Sequence, residues 1–155
     1  MEAIVDTYVY DSPVGKLTLE FSGRELIGIR FGGNRLKEIN PPEYILDWIT
    51  YLDEYFAGTR REFMTPAVTG GTPFQRRVWQ ALMQIPYGQT VSYSELADRI
   101  GSTRGCRAVA SACHRNPLPI VIPCHRVVGK NGSLTGYAGG LNIKKFLLDL
   151  ENFIK

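Results

Sequence analysis

Three short segments near the start of the chain alternate apolar and polar residues with a period of two. They are "EAIVDTYVY" (2–10), "GKLTLEFS" (15–22) and "ELIGIRFGG" (25–33). Leu17, Leu19 and Phe21 mark the second, and Leu26, Ile29 and Phe31 the third. Each predicts a half-buried strand. The turn formers "DSPVG" and "SGRE" between them predict an antiparallel meander. The period then changes: in "PPEYILDWITYLDEYFAG", Ile45, Trp48, Ile49, Leu52 and Phe56 recur at helical spacing, with Gly58 as the stop.

The polar, Gly- and Thr-rich stretch "TRREFMTPAVTGGTP" reads as a connection between lobes, and the rest of the chain is helical. "TPFQRRVWQALMQIP" has Thr72 as cap, Pro73 at the first helical position, and Phe74, Val78, Trp79 and Leu82 on one face. "SYSELADRIG" places Ser92 three residues before Glu95, a capping-box spacing, with Gly101 as the stop. "STRGCRAVASACHRNP" follows, with Ser102 or Thr103 as cap, and breaks at Asn116-Pro117. Two short helices around a tight turn make a helix-turn-helix candidate. The last helix, "LNIKKFLLDLENFIK", is expected to bury Ile143, Leu147, Leu150 and Ile154, with Glu151 at the edge of that stripe and in need of a partner.

Composition adds bounds. At 155 residues the chain is one domain or two small lobes, 44% hydrophobic and 21% charged, as expected of a globular protein. No apolar run is long enough to span a bilayer, and the N-terminus lacks a signal-like pattern, so a cytoplasmic or nuclear location is expected. Cys106, Cys113 and Cys124 are odd in number and lack a paired C-x-x-C, which argues against a disulfide framework and a zinc site. Residues 1–70 carry a net charge of −4 and residues 71–155 a net of +7. That split is compatible with a polyanionic partner, although a solvated basic surface explains it as well.

The second helix of the pair is stripped of bulk: Gly105, Ala108, Ala110, Ser111 and Ala112 are small, while Arg104, Arg107 and Ser111 share a face. Such a helix suits either a nucleic-acid groove or close packing on a neighbouring helix. Beyond it, "LPIVIPCHRVVG" (118–129) runs from apolar residues through Pro123 into Cys124 and His125. The run reads as a buried strand, with Ile122 extended before proline and Cys124 emerging at its end. A thiol beside an imidazole can become a thiolate nucleophile, by direct contact if the backbone turns or through a water if it does not.

With "RNPLPI" upstream, "IPCHRVVG" resembles the active site of the O6-alkylguanine-DNA alkyltransferases, the methylated-DNA–protein-cysteine methyltransferases. The resemblance covers "TPFQRRVWQALMQIPYGQTVSYSELADRIG", "CRAVASACHRNPLPIVIPCHRVV" and "GYAGGLNIKKFLLDLE", and reaches residues 1–70 chiefly through "SPVGKLTL". It implies an α+β fold: an N-terminal α/β lobe (1–70) with a small antiparallel, ribonuclease H-like sheet, and a mainly helical, winged helix-turn-helix lobe (71–155) carrying the active site. The implied activity is irreversible transfer of an alkyl group from O6-alkylguanine in DNA to the protein's own cysteine after nucleotide flipping. O4-alkylthymine is a second candidate lesion.

By the same resemblance Cys124 is the acceptor, His125 polarised by Glu151 is the base acting through water, Tyr93 protonates or hydrogen-bonds the departing guanine, and Asn116 braces the junction between the recognition helix and the cysteine loop. Arg107 is the finger that fills the stack. Ser92, Arg104, Ala108 and Ser111 join it at the DNA, and Val127, Tyr137 and Ala138 contact the base. The implied partner is double-stranded alkylated DNA, bound through the minor groove by a monomer, with no cofactor, metal or membrane. Two rivals stand beside this reading. A lesion sensor of the alkyltransferase-like kind generally lacks the cysteine, and a Cys-His-Glu hydrolase leaves the basic helix pair unexplained. Three departures from the family pattern carry their own expectations. Ala110 replaces a usual glycine and is expected to hinder close approach to DNA. Ala138 replaces a frequent serine, which spares a backbone contact but not a hydroxyl contact. Gly105 is expected to weaken the recognition helix by roughly 0.5–1 kcal/mol.

Overall fold

The computed structural model describes residues 6–34, 40–66, 68–102 and 104–153, which fall into two compact units, Met1–Thr69 and Gly70–Lys155. In the first, β1 (Asp6–Ser12), β2 (Gly15–Ser22) and β3 (Glu25–Phe31) form an antiparallel meander in the order β1-β2-β3. The strand expected from residue 2 is thus described from Asp6 onward, and residues 2–5 lie outside the described residues. Leu17, Leu19 and Phe21 are fully buried, as the alternation requires. Leu26 and Ile29 differ in parity yet share that buried environment. The pairs Leu19↔Ile29 and Phe21↔Leu26 bracket a register shift that leaves Ile27 as the extra residue of a bulge.

The helix α1 (Glu43–Phe56) packs on β1. Its buried residues are Ile45, Trp48, Leu52 and Tyr55, whereas Ile49 and Phe56, both expected in the stripe, are only half-buried. The Tyr55 ring takes the place of Phe56 and lies edge-on to it.

In the second unit α2 (Pro73–Leu82) opens with the expected Thr72 cap, closed by Gln75 into a full capping box. Val78, Trp79 and Leu82 are buried, but Phe74 is half-exposed and lies under the Arg104 guanidinium, 4.5 Å from its ring centre. The strand β4 (Val91–Ser92) leads into α3 (Tyr93–Arg99), which carries the expected Ser92–Glu95 capping box. After a turn through Gly101 comes α4 (Gly105–His114), packed on both α3 and α2. The helix-turn-helix pair is therefore present.

Two expectations for α4 are corrected. Its N-cap is Arg104, which makes no side-chain cap bond. Ser102 accepts instead from the Arg104 N–H, and Thr103 lies outside the described residues. Gly105 does not weaken the helix from within, because it sits at its first position with φ +80°, a left-handed conformation that glycine adopts without a Cβ clash. A two-residue strand β5 (Val127–Val128) pairs in parallel with β4, and α5 (Leu141–Phe153) closes the unit. Among the described residues no helix is long and apolar enough to cross a membrane.

Candidate active site

The apolar run 118–122 is buried but is not a strand. It folds into a tight turn in which the Ile122 N–H donates to the Leu118 carbonyl at 2.8 Å, with only an isolated bridge between Pro119 and Ile122. Burial alone gives an apolar run no period, so sequence could not separate a strand from a buried turn. Ile120 takes φ +77°, costly for a β-branched residue, and is held there with 1% of its surface exposed.

Asn116 clamps both ends of the turn: its Oδ1 accepts from the Leu118 N–H (2.9 Å) and its Nδ2 donates to the Ile122 carbonyl (2.7 Å). Pro123 (φ −81°, ψ 64°) then forms an inverse γ-turn in which the Cys124 N–H donates to the Ile122 carbonyl at 2.8 Å. Cys124–Arg126 follow as one 3₁₀ turn, so of the two backbone courses left open at Cys124 and His125 the chain takes the turn. A turn here directs three successive side chains into one interior.

The result is a buried charge cluster. His125 Nε2 donates to Glu151 Oε2 at 2.6 Å. Arg126 donates from Nε to Glu151 Oε1 (2.8 Å), from Nη2 to Oε2 (3.1 Å), and from Nη1 to the Ile85 carbonyl (2.7 Å). The Gly88 N–H adds a longer bond to Oε1 at 3.3 Å. Burial alone would raise the Glu151 pKa, but His125 and Arg126 together hold it well below the usual carboxylate range. Burial lowers the His125 pKa, so the ring is neutral near pH 7. With its Nε2 proton on Glu151, Nδ1 carries the lone pair, and no residue among those described hydrogen-bonds to it. A buried, unbonded, basic nitrogen next in sequence to a thiol suits proton removal.

Cys124 retains 8% of its surface exposed and lines a pocket of about 160 Å³ with Tyr93, Ala110, Cys113, His114, Thr135, Gly136, Tyr137 and Ala138. That is smaller than the roughly 300–1,000 Å³ of drug-sized ligand sites, and it suits a compact group such as one base. Burial pushes the Cys124 thiol pKa up to about 11, opposed by an Asn116 hydrogen bond and the Lys144 charge, so the resting group is a thiol that needs a base. Burial also raises the Tyr93 pKa, which keeps that hydroxyl a donor; it now reaches the Thr135 carbonyl at 3.5 Å.

The structure thus brings Cys124, His125, Glu151, Tyr93, Asn116, Tyr137 and Ala138 to one place. Arg107, Arg104, Ala108 and Ser111 lie elsewhere, exposed or half-exposed on α4 and at its cap. A groove lined by Ala110, Ser111, His114 and Arg115 shares Ala110 and His114 with the acceptor pocket, and so joins the outer face of α4 to Cys124. Ser92 uses its hydroxyl to cap α3, and Val127 is buried with its carbonyl accepting from Lys144.

Arg126, Lys144 and Thr135 were missed at the sequence level, as was the place of Cys113 in the pocket wall. For Lys144 the expected α5 stripe was the obstacle. Ile143 and Leu150 are only half-buried, and Ile154 lies outside the described residues. The buried face is Lys144, Leu147 and Glu151, at i, i+3 and i+7, a helical stripe in which two of three members are charged. Among the described residues no group of three or more His, Cys, Asp or Glu could hold a metal ion.

The chain is similar to known proteins along most of its length. Residues 73–153 match the family model of the 6-O-methylguanine DNA methyltransferase DNA binding domain, and residues 7–67 match that family's ribonuclease-like domain. The chain belongs to the 6-O-methylguanine DNA methyltransferase family. Among curated relatives in this family, the methylated-DNA–protein-cysteine methyltransferase of Mycobacterium bovis is 45% identical over 146 residues, covering 91% of this chain and 88% of its own. The constitutive methyltransferase of Bacillus subtilis is 56% identical over 101 residues, covering 64% and 61%. A crystal structure of Mycobacterium tuberculosis OGT in complex with DNA superposes with a TM-score of 0.86 at 44% identity, covering 97% of this chain and 94% of that one. These similarities bear out the two-part α+β fold expected from sequence.

Proposed function

We propose that the protein repairs alkylated DNA by moving the alkyl group from O6 of guanine to Cys124, and that each molecule does so once. The observation that carries this reading is the pocket-lining Cys124 thiol next in sequence to His125, whose Nε2 is fixed on Glu151 and whose Nδ1 is unbonded. His125 takes the thiol proton through a water, and the sulfur attacks the alkyl carbon as its bond to O6 breaks. Tyr93 protonates or hydrogen-bonds the leaving guanine, and the proton taken by His125 returns through solvent to whichever of the two is left anionic. Because Arg126 already balances its charge, Glu151 serves mainly to fix the tautomer and orientation of His125. The thioether is not hydrolysed under ordinary conditions, so the acceptor is consumed.

An O6-alkyl group is out of reach inside a duplex, and flipping the nucleotide out costs a few kcal/mol, roughly. We assign the offset to residues 71–155: α4 enters the minor groove of double-stranded DNA on its small residues, Arg107 fills the vacated stack, and Arg104, Ala108 and Ser111 contact the strand. Tyr137 and the Ala138 amide hold the flipped base, with the Val127 carbonyl contributing its second lone pair. Ala110 lines both groove and pocket, so its methyl group stands where the DNA would approach. Residues 1–70 are the supporting lobe. We further propose that the protein works as a monomer in the cytoplasm, or in a nucleus, and that O4-alkylthymine is a secondary substrate.

The test is to incubate the protein with a duplex containing O6-methylguanine and map the product by mass. The expected result is one added methylene on Cys124 and restored guanine. Unmodified protein that stays bound would favour a lesion sensor, and repeated turnover without modification would favour a hydrolase.

A further inference from the structure

Lys144 has none of its surface exposed. Its Nζ donates to the Val127 carbonyl at 2.6 Å and to the Thr135 carbonyl at 2.8 Å, and lies 5.8 Å from the centre of the Tyr93 ring. Both acceptors are neutral, and among the described residues no carboxylate pairs with it. The nearby anion is already committed, since Glu151 is bound by Arg126 and His125. A buried ammonium without a counter-ion is expensive, and its retention calls for an anion that forms there.

The titratable and charged groups that surround Cys124 and Lys144 are Tyr93 from α3, Cys113 and His114 from α4, His125 and Arg126 from the acceptor's own turn, Tyr137 from the pocket loop, and Glu151 from α5. Tyr93, Cys113 and Tyr137 are all pushed towards their neutral forms by burial. Arg126 and Glu151 balance each other. His125 becomes positive only by taking a proton. The cation without a carboxylate in this set is the Lys144 ammonium, whose pKa is lowered by burial and held up by the nearby Cys124 and Cys113 sulfurs.

We propose that Lys144 is a positioning residue for the transfer: its ammonium ties the acceptor turn at Val127 to the pocket wall at Thr135 and is the resident counter-charge for the Cys124 thiolate. The idea rests on Cys124 being the acceptor. The Lys144 charge favours the ionised Cys124 sulfur, and the thiolate in turn favours the charged lysine, as reciprocity demands. Once the sulfur is alkylated it can no longer ionise, and Lys144 is left buried against neutral carbonyls alone.

The test follows the reaction of Cys124 with iodoacetamide against pH, without DNA, by peptide mapping of full-length native protein, Lys144→Met and Lys144→Arg. The Met variant is expected to react at neutral pH on the order of tenfold more slowly, the effect of about one pKa unit, and to recover at alkaline pH. The Arg variant is expected to restore much of the native profile. A Met profile that superposes on the native one would overturn the proposal. Should Lys144→Met fail to fold, lysine NMR on native protein before and after carbamidomethylation of Cys124 decides the matter. The Lys144 titration is expected to move to lower pH, and an unmoved titration overturns the idea. Failure to accept a methyl group from DNA, with the coupling intact, would instead count against the proposed function.

Discussion

In the N-terminal unit the fully buried side chains are apolar or aromatic, among them Leu17, Leu19, Phe21, Ile45, Leu52 and Tyr55, and Thr18 is the one buried polar residue among those described. In the C-terminal unit the interior also holds His125, Arg126, Lys144 and Glu151. The first interior is what the hydrophobic effect produces unaided. The second is organised by charge: one carboxylate holds the Arg126 cation and the neutral His125 ring, while a second cation, Lys144, donates only to backbone carbonyls. Buried ion clusters add little net stability compared with apolar packing, so their presence beside a pocket indicates chemistry more than architecture.

That contrast can be broken by mutation. Glu151→Ala leaves Arg126 and His125 buried without their anion and is expected to destabilise the protein by about 3–5 kcal/mol in urea unfolding, with loss of transfer as well. Leu52→Ala in the N-terminal core is expected to cost about 2–5 kcal/mol but to leave the rate per folded molecule unchanged. Loss of transfer chemistry in folded Leu52→Ala would blur the division between the units.

The charged interior also makes stability depend on pH. His125 has a lowered pKa and Glu151 a strongly lowered one, so the unfolded chain binds more protons than the folded one in acid. Stability is therefore expected to be full above about pH 6.5, to fall as His125 is forced to charge, and to fall further below about pH 4.3 as Glu151 loses its advantage over the unfolded state. The rate of transfer should be flat through neutral pH and decline only on the acid side. His125→Ala is expected to slow transfer at neutral pH by roughly 10²–10⁴-fold while Cys124 stays in place. A rate unchanged by this substitution would remove the base from the mechanism. The smallest effect is expected at Gly105→Ala, where the left-handed backbone costs a Cβ about 1–2 kcal/mol. Duplex binding should weaken there without a change in Cys124 reactivity.

How much of this was legible beforehand follows the same division. The meander, α1 and both capping boxes are local rules, and Thr72 with Gln75 and Ser92 with Glu95 could be read directly. The family resemblance supplied the acceptor, and the structure supplied its surroundings. Periodicity failed where burial is not apolar: it selected Ile143 and Leu150 on α5, whereas the face turned inward is Lys144, Leu147 and Glu151. It also took 118–122 for a strand, because an apolar run carries no sign of the turn that Asn116 clamps. Bulges and left-handed residues such as Ile120 arise from long-range packing, and no local pattern announces them.

In the proposed reaction one sulfur, supported by a buried relay, is consumed as it accepts carbon. The direct measurement mixes native protein with a several-fold excess of O6-methylguanine duplex and counts restored guanines against time. The count should rise and stop at one per protein, with the methyl group on Cys124. A count that continues to climb, or an equal count from Cys124→Ser, would contradict the account.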